Sequence, residues 1–358
     1  MSSSPESITK GEEKKGNLEN NPKDDMPKET STMESKGARP KTSSTPIKSE
    51  KQTEENKPLK VVIINANGPN MGNGTTETRK YTIQNVIFLN KPELILFQEF
   101  TAEIIDGKVW SSNLVLKHYK FTGSNKHSSV IVYNSNELFV TENTEIEKDF
   151  QTIFQGDTSK HSELNHNKSD ISSRMCLRVV KIKDKTDTDF ICISWHGKHS
   201  GMTNVRKVTE FKTLMKVLNA IYNKYKLPIL IGGDFNVVMK LIRPEVNDLF
   251  KLYPYTPSVR RKEKVIDYFI TSPGLHLYDM KPVDLKKVSK LCIIKLIYFV
   301  IKYLISLDRI LPVLHVLVQL KVHVSQAEIP ENVLDHDPIQ AKLIPPPLDN
   351  LPGSSSSE

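Results

Sequence analysis

Residues 227–237 read LPILIGGDFNV: a run that is aliphatic apart from Pro228, then two glycines, then an aspartate and an asparagine separated by Phe235. An unbroken aliphatic run of this length predicts a strand buried on both faces. Gly232 and Gly233 predict its end, because they let the backbone turn without a Cβ clash and let other groups approach closely. On an extended chain Asp234 and Asn236 share one face while the Phe235 ring points to the other. Two readings follow. Either a carboxylate and a carboxamide are aimed at one spot, or a strand-to-turn junction has Asp and Asn capping their own backbone.

Upstream, residues 204–225 place Val208, Phe211, Leu214, Met215, Leu218 and Ile221 on one stripe, with Lys and Glu opposite, which is the pattern of an amphipathic helix. Strands are predicted at 59–65 (LKVVIIN), 94–97, 130–133, 175–182, 190–195 and 265–271 (VIDYFIT), and a further helix at 75–90 stops before Pro92. Another alternating strand ends at 343, behind Asp335 and His336. Strand, helix and strand in succession make an α/β order.

Few polar residues end or interrupt the apolar runs: Asn65, Glu99, His196, Asp234, Asn236, Asp267, Asp335 and His336. A glutamate closing an apolar strand is seldom there for packing, since it needs a cation, a donor or water. In a sheet-based fold such groups converge at one edge, where strands end and loops begin. Their carboxylate oxygens suit Mg²⁺ or Mn²⁺, and Cys176, Cys192 and Cys292 lack both zinc-ligand spacing and a disulfide framework. A histidine beside an aspartate can be oriented by a carboxylate. Metal, carboxylate base, amide donor and imidazole together are the parts for attack of water on phosphorus.

Taken in order, Asn65, Gln98-Glu99, His196, GGDFN at 232–236, IDYFI at 266–270 and DHDPI at 335–339 resemble the endonuclease/exonuclease/phosphatase superfamily. That superfamily contains secreted deoxyribonucleases, abasic-site endonucleases, deadenylases, neutral sphingomyelinases and inositol-polyphosphate 5-phosphatases. The likeness runs over 59–284 and resumes over 327–343. One motif of this kind is weak, whereas six in the right order are specific. The resemblance implies an α/β fold, a four-layer α/β/β/α sandwich with two mixed β-sheets, and a site at their shared edge. It implies that Glu99 binds Mg²⁺ with help from Asn65, and that Asp335 sits on the metal side. Asp234 would orient or deprotonate the attacking water, and Asn236 would hold a non-bridging oxygen. His336 would stabilise the developing charge or serve the leaving oxygen, with Asp267 as partner of its ring.

His196 lies where the deoxyribonuclease branch carries a second catalytic histidine supported by a carboxylate. The corresponding stretch here, 124–129 (SNKHSS), has no carboxylate. A structural and a catalytic His196 therefore stand side by side. His199, His161 and His166 are read as surface. Asn67 replaces the acidic ligand of the abasic-site endonucleases, Trp195-His196 replaces their tyrosine-bearing strand end, and VIDYFIT lacks the arginine of the inositol phosphatases. Leu334 stands where a serine usually precedes the Asp-His pair.

The chain has 358 residues and a formal net charge of +8. Residues 1–58 hold 11 bases and 11 acids with almost no aliphatic or aromatic residues, so this stretch is predicted to be a disordered polar tail. Residues 285–326 hold 7 bases and 1 acid in a run of Leu, Ile and Val, leaving 32 bases and 30 acids elsewhere. Bulk charge therefore says little about partners. The basic stretch 259–264 (VRRKEK) reads as a nucleic-acid patch or as a solvated loop. Residues 59–344 form the predicted catalytic domain and 345–358 a second disordered tail.

The 285–326 insert contains LCIIKLIYFVIKYLISL at 291–307, close to spanning length but broken by Lys295 and Lys302. It reads as a membrane-associated excursion, an amphipathic surface helix or, as the preferred account, a translated intron, since Val288-Ser289 can be encoded by GTAAGT and Gln326 by CAG. The amino-terminal residues lack the apolar core of a secretory signal, which predicts a cytoplasmic or nuclear protein.

The leading expectation is a Mg²⁺- or Mn²⁺-dependent phosphodiesterase acting on nucleic acid, because GGDFN with Trp195-His196 stands nearest the deoxyribonuclease pattern. A sphingomyelinase-type lipid phosphodiesterase or a phosphatase, with a phospholipid partner, is the alternative among enzymes. A catalytically weak binding module on the same fold is the alternative outside them. Nothing in the sequence points to a stable protein partner, and membrane contact is expected only through the insert.

Overall fold

The aliphatic run at 227–231 does enter a strand, but the strand continues through both glycines and ends at the aspartate (Ile229–Asp234). The reason is space. A Cβ on Gly232 would lie 2.7 Å from Phe269 Cδ1 and 2.8 Å from Leu96 Cδ1, and one on Gly233 (φ +150°) would lie 2.0 Å from the Trp195 carbonyl oxygen. The glycines serve close approach, and the turn falls instead at Asn236, whose φ of 52° is left-handed.

The structure is a computed structural model that describes residues 57–66, 76–100, 116–123, 128–160, 168–185, 188–199, 201–254, 265–285, 334 and 336–345. All lie in the unit Glu54–Glu358. Residues 1–56, Asn67, His161, His166, 259–264, Cys292, the insert from residue 286 onward, Asp335 and the tail beyond 345 fall outside the described residues.

In chain order the strands are β1 (Leu59–Asn65), β2 (Leu94–Gln98), β3 (Tyr119–Thr122), β4 (Ser129–Asn134), β5 (Leu138–Thr141), β6 (Met175–Ile182), β7 (Phe190–His196), β8 (Ile229–Asp234), β9 (Lys251–Tyr253), β10 (Asp267–Thr271), β11 (His276–Pro282) and β12 (Ile339–Ile344). The helices are α1 (Thr76–Asn90), α2 (Thr144–Thr158), α3 (Lys168–Arg174), α4 (Asn204–Tyr225) and α5 (Met239–Ile242). One sheet runs β11-β12-β1-β2-β4-β3 and the other β5-β6-β7-β8-β10-β9. Both are mixed: β1 is parallel to β2 and β7 to β8, while the remaining pairs are antiparallel.

Three apolar clusters fill the spaces between layers. Val61, Ile63 and Leu96 of the first sheet meet Cys192, Leu230 and Phe269 of the second. Ile83, Val86 and Ile87 of α1 cover Val62, Ile64 and Phe97. Phe150 and Phe154 of α2 and Phe211, Leu214 and Leu218 of α4 cover Ile193, Ile231 and Trp195. Helix, sheet, sheet and helix give the expected four-layer α/β/β/α sandwich.

The long helix begins where the sequence places it, with Thr203 accepting from the Arg206 amide and Lys226 closing the other end in the left-handed region (φ 56°). Glu210 is buried rather than on the polar face, because it pairs with Arg174 at 2.7 Å. The antiparallel pairing of β11 with β12 joins the two sides of the 286–333 segment directly, with Pro282 opposite Ile339. The chain after the insert thereby returns to the sheet.

Candidate active site

Register alone sets one row of the site. In the second sheet, His196 at the end of β7 lies opposite Asp234 at the end of β8, and Asp234 lies opposite Asp267 at the start of β10. In the first sheet, Asn65 at the end of β1 lies opposite Gln98, and Glu99 follows with a left-handed φ of 51°. A non-glycine residue held there signals a backbone whose surroundings fix it at a cost of ~1–3 kcal/mol. His336 arrives three residues ahead of Ile339, which pairs with Ile63. Seven of the eight residues singled out in the sequence are thus gathered at one rim. The eighth, Asp335, lies outside the described residues.

Side chains from the two sheets meet there. Asn65 Nδ2 donates to Asp234 Oδ2 at 3.0 Å and stands 3.4 Å from Glu99 Oε1. His336 Nδ1 lies 2.9 and 2.7 Å from the two Asp267 oxygens and 3.7 Å from Asp234 Oδ2. His196 Nε2 faces Glu99 Oε1 at 3.6 Å. Two sets of ligand atoms, Glu99–His196–Asp234 and Asp234–Asp267–His336, each fall within 4.8 Å of one another. Asp234 belongs to both.

Burial and the Asp267 charge beside it push the Asp234 carboxyl up to about 7, against the opposing pull of His336, the Asn236 amide and Asn65. Burial and the Arg174 guanidinium hold the His196 ring down at about 4. At neutral pH His196 is therefore uncharged.

Asn236 departs from the simple alternation. Its amide nitrogen donates to Asp234 Oδ1 at 2.8 Å and its side chain to the Gly197 carbonyl at 2.8 Å, so this part of the junction is also a self-capping turn. The self-capping reading of 227–237 holds, and the left-handed φ of Asn236 replaces the extended alternation that would have put its side chain beside that of Asp234. Phe235 turns inward and stacks on Tyr268 with ring centroids 4.1 Å apart.

Sequence reasoning missed the frame behind His196. Arg174 Nη1 donates to the His196 carbonyl at 3.0 Å and to Glu210 Oε1 at 2.7 Å, with its guanidinium over the Trp195 ring. Ser128, within the stretch that has no carboxylate, stands behind the ring with its Oγ 3.5 Å from His196 Nδ1. Ser129 Oγ donates to the Arg174 carbonyl at 2.7 Å, tying β4 to the start of β6. The one available signal was Glu210, an acid placed among the apolar positions of α4.

Cys176 and Cys192 are buried free thiols. Among the described residues no helix is long and apolar enough to cross a membrane. A cavity of about 590 Å³ lies at the far end of β10, lined by Arg243, Lys251, Tyr253, Thr271 and His276. Its lining includes none of Asn65, Glu99, His196, Asp234, Asn236, Asp267 and His336.

No protein-family model and no curated protein matches this chain. Solved structures do. A crystal structure of a humanized D. rerio TDP2 with 14 mutations aligns over 80% of this chain and 98% of its own, at 10% identity and a TM-score of 0.50. A Bacteroides thetaiotaomicron VPI-5482 mannosyl-6-phosphatase aligns over 80% and 99%, at 14% identity and a TM-score of 0.50. An endonuclease/exonuclease/phosphatase from Bacteroides vulgatus aligns over 80% and 98%, at 14% identity and 0.48. The chain shares the fold of the TDP2 and mannosyl-6-phosphatase structures, a two-sheet α/β sandwich of the class its motifs implied.

Proposed function

We propose that this protein is a Mg²⁺-dependent phosphodiester hydrolase acting on nucleic acid. The observation that carries the reading is the convergence, from both sheets, of Glu99, Asn65, Asp234, Asp267 and His336 on one rim. A packed core has no use for three carboxylates and an imidazole at such spacing.

The residues fit a hard divalent cation. Glu99 Oε1 is saturated by neither of its neighbours, which stand 3.4 and 3.6 Å away, and Glu99 and Asp234 offer oxygen donors. Glu99 would hold Mg²⁺ or Mn²⁺, Asn65 would position its carboxylate, and Asp335 is assigned to the same side on the family pattern. When bound, the cation would supply positive charge against the phosphodiester oxygens.

Asp234 is the base. Its oxygens are aimed by Asn65 and the Asn236 amide, and burial raises its proton affinity into the range useful near neutrality. It takes the proton of the attacking water as oxygen bonds to phosphorus. His336, held at Nδ1 by Asp267, presents its other nitrogen to the substrate, where it gives a proton to the departing oxygen or stabilises the charge on phosphorus. Asn236 would donate to a non-bridging oxygen from an amide fixed by the Gly197 carbonyl.

Support for a polyanionic substrate comes from the segments that leave β7 and β8, which carry Lys198, Arg206, Lys207 and Lys240. Cations there suit successive phosphates. A panel of plasmid DNA, abasic duplex, oligo-A RNA, sphingomyelin and an inositol polyphosphate, each with Mg²⁺ and with chelator, tests the reading. Chelator-sensitive cleavage of a nucleic acid is expected. Turnover of sphingomyelin or the inositol phosphate alone would replace the substrate, and silence of well-folded protein on all five would leave a binding module.

A further inference from the structure

We propose that His196 is itself a ligand of the cation, offering Nε2 as a nitrogen donor beside Glu99 Oε1, so that the site favours Mn²⁺ over Mg²⁺. The inference rests on the cation seat assigned above but not on hydrolysis.

Ser128 stands behind the His196 ring, on its Nδ1 side. Its single hydroxyl proton goes to the Ser173 carbonyl at 2.8 Å, so its oxygen can only accept from the imidazole. That oxygen lies 3.5 Å from His196 Nδ1, so a ring proton on Nδ1 meets an acceptor, and in that tautomer the lone pair is on Nε2. Nε2 then faces Glu99 Oε1 at 3.6 Å, one lone-pair atom opposite another.

The same rim provides an internal control. Where a histidine and a carboxylate share a proton, at His336 and Asp267, the atoms close to 2.7 Å. The His196–Glu99 gap is not slack in the frame, because Arg174 grips the His196 carbonyl at 3.0 Å and the Ser128 amide donates to the Ser173 carbonyl at 2.6 Å. Two atoms each bonded to one ion at roughly 2.1 Å can lie up to ~4.2 Å apart, a span that includes this gap. An acceptor behind one ring nitrogen, here a hydroxyl, fixes the tautomer of a ligating imidazole and leaves the other nitrogen to the metal. Imidazole suits borderline ions, and Mg²⁺ prefers an all-oxygen shell.

The test uses the full chain loaded with Mn²⁺ or Mg²⁺ and needs no turnover. Pulsed EPR of the Mn²⁺-loaded wild type should show coupling to an imidazole nitrogen, and His196→Ala should abolish it. The Mn²⁺ dissociation constant of His196→Ala, read from the free aquo-ion signal, should rise ~10-fold or more, while that for Mg²⁺, measured calorimetrically, should change by roughly 3-fold or less. Glu99→Gln should weaken both ions. Mn²⁺ bound through Glu99 with no nitrogen coupling would overturn the histidine assignment and leave the hydrolase reading standing. Absence of Mn²⁺ binding in the wild type would overturn the assignment together with the cation seat.

Discussion

The two histidine corners of the rim are built from the same residue types and differ in how they are closed. At one, His336 sits within 2.7 Å of Asp267, an acid on the neighbouring strand. At the other, His196 is backed by the Ser128 hydroxyl and stands 3.6 Å from Glu99. Asp234 lies between them and touches both sets. The contrast teaches that the partner behind an imidazole, more than the imidazole itself, decides whether it handles protons or is kept neutral.

The strongest way to break this contrast is to remove what both corners share. Asp234→Asn keeps the shape and loses the base, and hydrolysis is expected to fall ~10²- to 10⁴-fold in purified, folded protein. Turnover within a few-fold of wild type would end the assignment. The closed corner comes next: His336→Ala and Asp267→Asn should each reduce the rate on the order of 10²-fold, and the double variant should be little worse than the poorer single one. Multiplying losses would show that the two do not act as a unit.

The open corner is sharpened by binding rather than rate. Saturating Mg²⁺ or Mn²⁺, near 100-fold above the dissociation constant, should raise the melting temperature by roughly 5–10 °C, and Glu99→Gln should erase the rise. A rise that survives the substitution would move the seat elsewhere. The smallest effect concerns acidity. Asp234 binds its proton more tightly folded, at about 7, than unfolded, near 3.8. The folded state is therefore favoured below pH ~4, and that contribution is lost as pH climbs through about 7. Without cation, the melting temperature of wild type should fall by a few degrees across this window relative to Asp234→Asn. Parallel curves for the two proteins would contradict the raised affinity.

Much of this is legible in the sequence itself. Long apolar runs such as 59–65 and 175–182 became strands with those bounds, because burial on both faces leaves no other use for them. Strand-end polar residues betrayed the rim because packing could not explain them. What escaped was short or polar. Edge strands β3, β5 and β9 have three or four residues with mixed exposure, too few for a period to show. The roles of Arg174, Ser128 and Glu210 come from contacts 22 to 68 residues apart, which spacing along the chain does not encode. The glycines misled on the end of β8 because their neighbours, Trp195 and Phe269, are visible only across strands.

One feature of the topology bears on when the rim is complete. The first and the last described strands, β1 and β12, lie side by side, and His336 comes in with the latter. A chain still emerging from the ribosome thus holds Glu99, Asp234 and Asp267 long before it holds their imidazole. Any hydrolytic capacity should switch on only with the closing strand, so that onset of cleavage during refolding can serve as a clock for the docking of β12 against β1.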